Sequence, residues 1–93
     1  MMIPLKAREL RTALLRKGFV EEQGDHRWLR LYVGSRRTDV RTPISHGIPE
    51  YGVNLLKKVA QQLHLDQREF MDLVRCPLSR SAYADLMRKQ GHV

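Results

Sequence analysis

Gln23-Gly24-Asp25-His26-Arg27-Trp28 is the stretch from which the rest of the chain is read, because it places a turn and a histidine immediately before a strongly apolar run. Gly24-Asp25 has the composition of a two-residue hairpin loop, since Gly and Asp tolerate the backbone angles that match strand twist. Residues 19–23 and 27–33 are therefore expected to pair as antiparallel strands. With the second strand starting near His26, side chains alternate in direction. His26, Trp28, Arg30 and Tyr32 fall on one face, a working surface; Leu29, Leu31 and Val33 fall on the other, a core face.

Upstream, residues 5–17 read as a helix with Ala7, Leu10 and Leu14 on one side, and Gly18 stands where a helix-terminating glycine belongs. Arg8 and Arg11 lie on the opposite side, where they either stay solvated or contact phosphate. Downstream, Gly34-Ser35-Arg36 supplies a turn into a third strand over roughly 37–44. There Thr38, Val40, Thr42 and Ile44 alternate with Arg37, Asp39 and Arg41, the pattern of a half-buried strand with a basic face. Pro43 belongs at the strand end or on an edge, because it cannot donate to the ladder.

Residues 45–52 read as a loop broken by Gly47, Pro49 and Gly52. A helix follows over 53–63, with Val53, Leu56, Val59, Ala60 and Leu63 available to cover a sheet and Lys57, Lys58, Gln61 and Gln62 facing away. Asp66 and Glu69 form an acid variant of the capping box, opening a helix over 67–75 that Cys76-Pro77 stops. Ser79 caps a last helix reaching about Lys89. The expected class is α+β, in the order α-β-β-β-α with a three-stranded antiparallel sheet, followed by two short C-terminal helices.

A chain of 93 residues suits one domain, and 42% hydrophobic with 29% charged residues fits a soluble globular one. No run approaches the roughly 18 apolar residues of a spanning helix. Met1-Met2-Ile3-Pro4-Leu5 is too short and interrupted for the apolar segment of a signal peptide, so the expected location is the cytoplasm. The lone Cys76 has no internal disulfide partner and is expected to be a buried, reduced thiol.

The net charge is +7, and its excess is uneven: residues 1–47 hold ten basic and five acidic side chains, residues 48–93 seven and five. A cationic surface attracts polyanions by counterion release, which makes nucleic acid the first partner to consider. A basic face for an acidic protein is the rival.

Four histidines are present, His26, His46, His64 and His92, without the spacing of a metal site. Nucleophile elbow, phosphate loop and dinucleotide fingerprint are all missing, so no cofactor or metal is expected. One reaction class remains open to a lone histidine on a basic surface: metal-free cleavage of RNA. RNA carries its own nucleophile in the 2′-hydroxyl, and histidine titrates where proton transfer at neutral pH needs it. Arg30, Arg41 or Lys57 then stabilise charge on phosphorus, and Trp28 and Tyr32 either stack on bases or serve as core or interface. Asp25 is either the turn residue alone or an anion favouring the protonated imidazole.

Several segments in succession resemble the HicA family of toxin-antitoxin ribonucleases. They are a helix ending Arg16-Lys17-Gly18-Phe19, then Gly24-Asp25-His26 before a strand, Thr42-Pro43-Ile44-Ser45-His46, and Gly52-Val53-Asn54-Leu55-Leu56-Lys57-Lys58-Val59. The resemblance covers residues 5–65. It implies a double-stranded-RNA-binding-domain-like fold, metal-independent cleavage of mRNA and neutralisation by a HicB-like antitoxin. It also implies a catalytic role for His26, with Gly24 and Asp25 forming the turn that positions it. His46 matches a histidine often found after the third strand, a secondary candidate.

Two features depart from the family pattern: Asp25 stands where serine is common, and residues 66–93 extend beyond the minimal core. Two other classes stay open, a non-catalytic RNA-binding module and a protein-interaction domain using the basic sheet face. The extra helices carry Phe70, Leu73, Val74, Tyr83, Leu86 and Met87, so they either fold back onto the core or bind the antitoxin.

Overall fold

A computed structural model describes residues 2–24, 27–44, 47–75 and 77–93. Asp25, His26, His46 and Cys76, all named above, lie outside the described residues. The elements in order are β1 (Leu5–Lys6), α1 (Ala7–Arg16), β2 (Phe19–Gln23), β3 (Arg27–Val33), β4 (Arg36–Pro43), β5 (Glu50–Tyr51), α2 (Val53–Gln62), α3 (Gln67–Arg75) and α4 (Arg80–Lys89). The expected α+β layout is present. Strands β2-β3-β4 form an antiparallel meander, with α1 packed on β2 and β3 and α2 on β4.

The register of the first hairpin corrects one expectation. Gln23 stands opposite Arg27, and Phe19 opposite Leu31. A two-residue Gly24-Asp25 loop requires Gln23 opposite His26, which sets Phe19 against Arg30 and turns it away from the apolar face. A slip of one residue exchanges the two faces of a strand, so the burial of Phe19, Leu29 and Leu31 overrules the composition of the turn.

Between β3 and β4 the register shifts from Arg30↔Arg41 to Tyr32↔Arg37, so Leu31 faces the three residues Thr38, Asp39 and Val40. Such a bulge leaves ladder groups unpaired, and side chains replace the missing bonds. Thr38 Oγ1 donates to the Leu31 carbonyl at 2.7 Å and accepts from Val40 N at 3.2 Å, while Arg30 Nη1 donates to the Thr38 carbonyl at 2.7 Å.

Two short strands escaped the sequence reading. The helix expected from residue 5 begins at Ala7, because Leu5–Lys6 pairs antiparallel with Glu50–Tyr51 in the stretch expected to be loop. Leu5 and Tyr51 are both buried, and Ala7 N donates to the Pro49 carbonyl at 2.9 Å.

The C-terminal helices fold back. Phe70, Leu73, Tyr83 and Met87 are fully buried in the same cluster as Leu14, Leu31, Val40 and Leu56. Asp66 and Glu69 cap α3 reciprocally, each backbone N–H donating to the other's carboxylate at 3.0 and 2.7 Å, and Ala82 N donates to Ser79 Oγ at 3.1 Å. Tyr83 stacks on Phe19 with ring centroids 5.9 Å apart, and its hydroxyl donates to the Leu63 carbonyl at 3.0 Å. Lys17, the C-cap residue of α1, is only 6% exposed and donates to the Leu78 carbonyl at 2.7 Å.

Candidate nucleic-acid interface

With the helices on one side of the meander, the opposite side carries Val20 and Glu22 from β2, Trp28, Arg30 and Tyr32 from β3, and Arg37 and Arg41 from β4. Cross-strand partners share a face, which follows from the pairs Val20↔Arg30, Glu22↔Trp28, Arg30↔Arg41 and Tyr32↔Arg37. Val20 is 45% exposed there. Of the face expected from alternation, the described members Trp28, Arg30 and Tyr32 do lie together, although they do different work.

Arg30 is 7% exposed, and its guanidinium is held by Glu22 Oε1 at 2.8 Å and by the Thr38 carbonyl. It is anchored to the bulge and to β2 instead of being offered to solvent. Glu22 also accepts two bonds from Arg37, at 2.9 and 3.0 Å, and one from the Tyr32 hydroxyl. The Arg37 bonds, with those of Tyr32 and Arg30 after them, hold the Glu22 carboxyl far below the ordinary carboxylate range. The hydrogen bond that Tyr32 donates to Glu22, with desolvation and the Glu22 charge after it, pushes the phenol up.

Glu22 and Arg37 were not singled out as site residues from the sequence. The signal was present for Arg37, which alternates in phase with Arg41; nothing local marks Glu22, because its partners are 8 to 15 positions away.

Trp28 and Arg41 form a second unit. The guanidinium carbon of Arg41 lies 4.0 Å from the centre of the Trp28 ring, a cation–π contact, with Pro43 directly across from Trp28. Arg41 is exposed and makes no ion pair with any described carboxylate. Lys57 is also exposed, on the side of α2 away from the core, so the structure does not join it to this pair.

At one end of the sheet Ile44 N donates to the Arg27 carbonyl at 2.9 Å. This bond ties the residue that follows His26 to the residue that precedes Ser45-His46. Beside it an open hollow of about 450 Å³ is lined by Ile44, Ile48 and Pro49 and by Lys6, Arg8 and Arg11 at the start of α1. Arg11 also reaches Glu21 at 3.4 Å.

The other two histidines meet elsewhere. The rings of His64 and His92 stack with centroids 3.8 Å apart, and His92 Nδ1 lies 3.6 Å from Asp39 Oδ1. Desolvation, followed by the charge of His92, moves His64 below the ordinary histidine value, with Asp39 opposing. Among the described residues no group of three His, Cys, Asp or Glu side chains is arranged to hold a metal ion, and no helix is long and apolar enough to cross a membrane. Compared with protein-family models, curated proteins and solved structures, the chain matches none.

Proposed function

We propose that this chain is a cytoplasmic, metal-independent endoribonuclease, the toxin of a toxin-antitoxin pair of the HicA kind, with a HicB-like protein as its antitoxin. The sequence resemblance over residues 5–65 motivates the reading. The observation that supports it is the Ile44–Arg27 bond, which sets the segments leading from His26 and into His46 at one end of a cationic sheet. The meander with helices on one side is read, in finer terms, as a double-stranded-RNA-binding-domain-like core.

In the proposed reaction a 2′-hydroxyl oxygen attacks the adjacent phosphorus, its proton passing to a general base. The bond to the 5′-oxygen breaks, and that oxygen is protonated as it leaves, giving a 2′,3′-cyclic phosphate. His26 acts as general acid or base, positioned by Gly24 and Asp25, with His46 as the second candidate. Arg41 offers an exposed cation for the phosphate, whereas Arg30 acts at one remove by fixing the sheet, and Lys57, which lies on α2 apart from Arg41, is left to contact the RNA strand elsewhere.

The test is incubation of the purified protein with single-stranded RNA in EDTA. Cleavage ending in a cyclic phosphate or its hydrolysis product, lost in a folded His26→Ala variant, is the expected result. Cleavage that needs magnesium, or that survives the substitution, overturns it. The uncovered face bearing Trp28 and Arg41 favours a second reading, a non-catalytic RNA-binding module, which binding without cleavage selects.

A further inference from the structure

We infer that Trp28 and Arg41 together form a nucleobase-stacking subsite, in which an unpaired base of a single-stranded nucleic acid lies against the exposed guanidinium of Arg41, backed by the indole. The inference deepens the ribonuclease reading and rests on it only for the claim that the bound strand is also cut.

Three observations carry it. Arg41 sits 4.0 Å from the Trp28 ring centre, so its position is set by the ring beneath it instead of being averaged over solvent. The residue remains exposed and lacks a described carboxylate partner, so neither its charge nor its outer surface is used internally. The surroundings are rigid: Trp28 lies between Glu22 and Pro43 in the ladder, and Glu22 is pinned by Arg30, Arg37 and Tyr32.

A planar cation is a natural base platform, since every base has a π face and guanidinium planes stack on it. Val20 and Pro43, both exposed, give the same face an apolar margin. An acidic protein segment would satisfy the charge but makes no use of the stacked plane.

The chain has one tryptophan, so its fluorescence reports Trp28 alone. The full-length protein is titrated with a 2′-O-methyl hexaadenylate, which lacks the hydroxyl needed for cleavage, and with an abasic oligomer of the same length and charge. The expected result is a saturable change in tryptophan emission with the first and none with the second. Arg41→Lys, which keeps the charge and removes the plane, is expected to weaken hexaadenylate binding roughly tenfold, the scale of one stacked base. Arg68→Ala, which removes one exposed charge from α3, should leave it within about twofold.

Equal responses to the two oligomers, or undiminished binding by Arg41→Lys, overturn the subsite. Cleavage of ordinary RNA in EDTA is measured in parallel. Cleavage without the emission change removes the subsite alone, and the emission change without cleavage upholds the subsite and removes the nuclease.

Discussion

The Tyr83 hydroxyl donates to the Leu63 carbonyl at 3.0 Å, joining the last helix to the end of α2 across 20 positions of sequence. Leu63 is the C-cap residue of α2, where carbonyls have lost their helical partners, so the phenol satisfies a group that the helix cannot. Burial pushes this phenol well above its ordinary pKa, so it stays a donor at any working pH. Tyr83→Phe keeps the ring on Phe19 but orphans the carbonyl, and should cost about 1–3 kcal/mol in urea unfolding.

Truncation after Leu65 follows from the same contacts. It removes Phe70, Leu73, Tyr83 and Met87, all fully buried, and bares their packing partners. The fragment is expected to be unfolded or aggregated by circular dichroism and size exclusion. A cooperatively folding fragment would show that the first 65 residues are self-sufficient.

Glu22→Gln should destabilise the fold by about 2 kcal/mol, since it converts charge-assisted bonds to Arg30 and Arg37 into neutral ones and leaves the buried Arg30 without its counter-ion. The folded carboxyl titrates below its unfolded value of 4.5, so its contribution is present above that pH and is lost as pH falls further. Thermal midpoints of parent and variant, measured from pH 6 down to pH 3, should start to draw together below pH 4.5 without meeting by pH 3. Parallel curves would mean that the network carries no charge-dependent stability.

A second pH effect belongs to His64. Its folded pKa is below the ordinary 6.5, so as pH drops through that value the unfolded chain takes up the proton first and the native state loses stability. His64 has φ = +61°, a conformation that asparagine tolerates. His64→Asn should therefore fold and flatten the stability profile between pH 6.5 and the lowered value, as read from thermal midpoints. A profile that keeps its slope removes this histidine from the acid response.

Gly18 has φ = +101°, and a Cβ there would stand 3.1 Å from Arg80 Nε and 3.3 Å from the Tyr32 carbonyl. Gly18→Ala is expected to cost about 1–3 kcal/mol of unfolding free energy, because left-handed backbone strain and a close approach coincide. A cost near zero would imply that α1 and β3 separate easily.

The parts of this fold legible in the sequence were those with periodicity or a cap. Leu10 and Leu14 marked the buried face of α1, Thr38, Val40 and Thr42 the inner face of β4, and Asp66 with Glu69 the start of α3. Two-residue strands have no period, so Leu5 read as one more helical apolar position and Tyr51 as loop. The hairpin register was misread because a local turn preference was weighed without the Phe19–Leu31 pairing. Within the site, alternation placed Trp28, Arg30 and Tyr32 on one face. It could not foresee that Arg30 serves the β4 bulge, since the bulge depends on strand pairing.

The β1–β5 ladder has a kinetic meaning. Leu5 and Tyr51 are 46 positions apart and joined through only two residue pairs, whereas the meander closes over turns of a few residues. Loop closure grows costlier with separation, so this ribbon is expected to zip last during folding and to part first from the native state. Amide exchange should then be faster at Ala7, whose proton goes to Pro49, than at Tyr32, whose proton goes to Gly18. The start of α1, where Lys6 and Arg8 line the hollow beside Ile44, is thus expected to share the early opening of this ribbon.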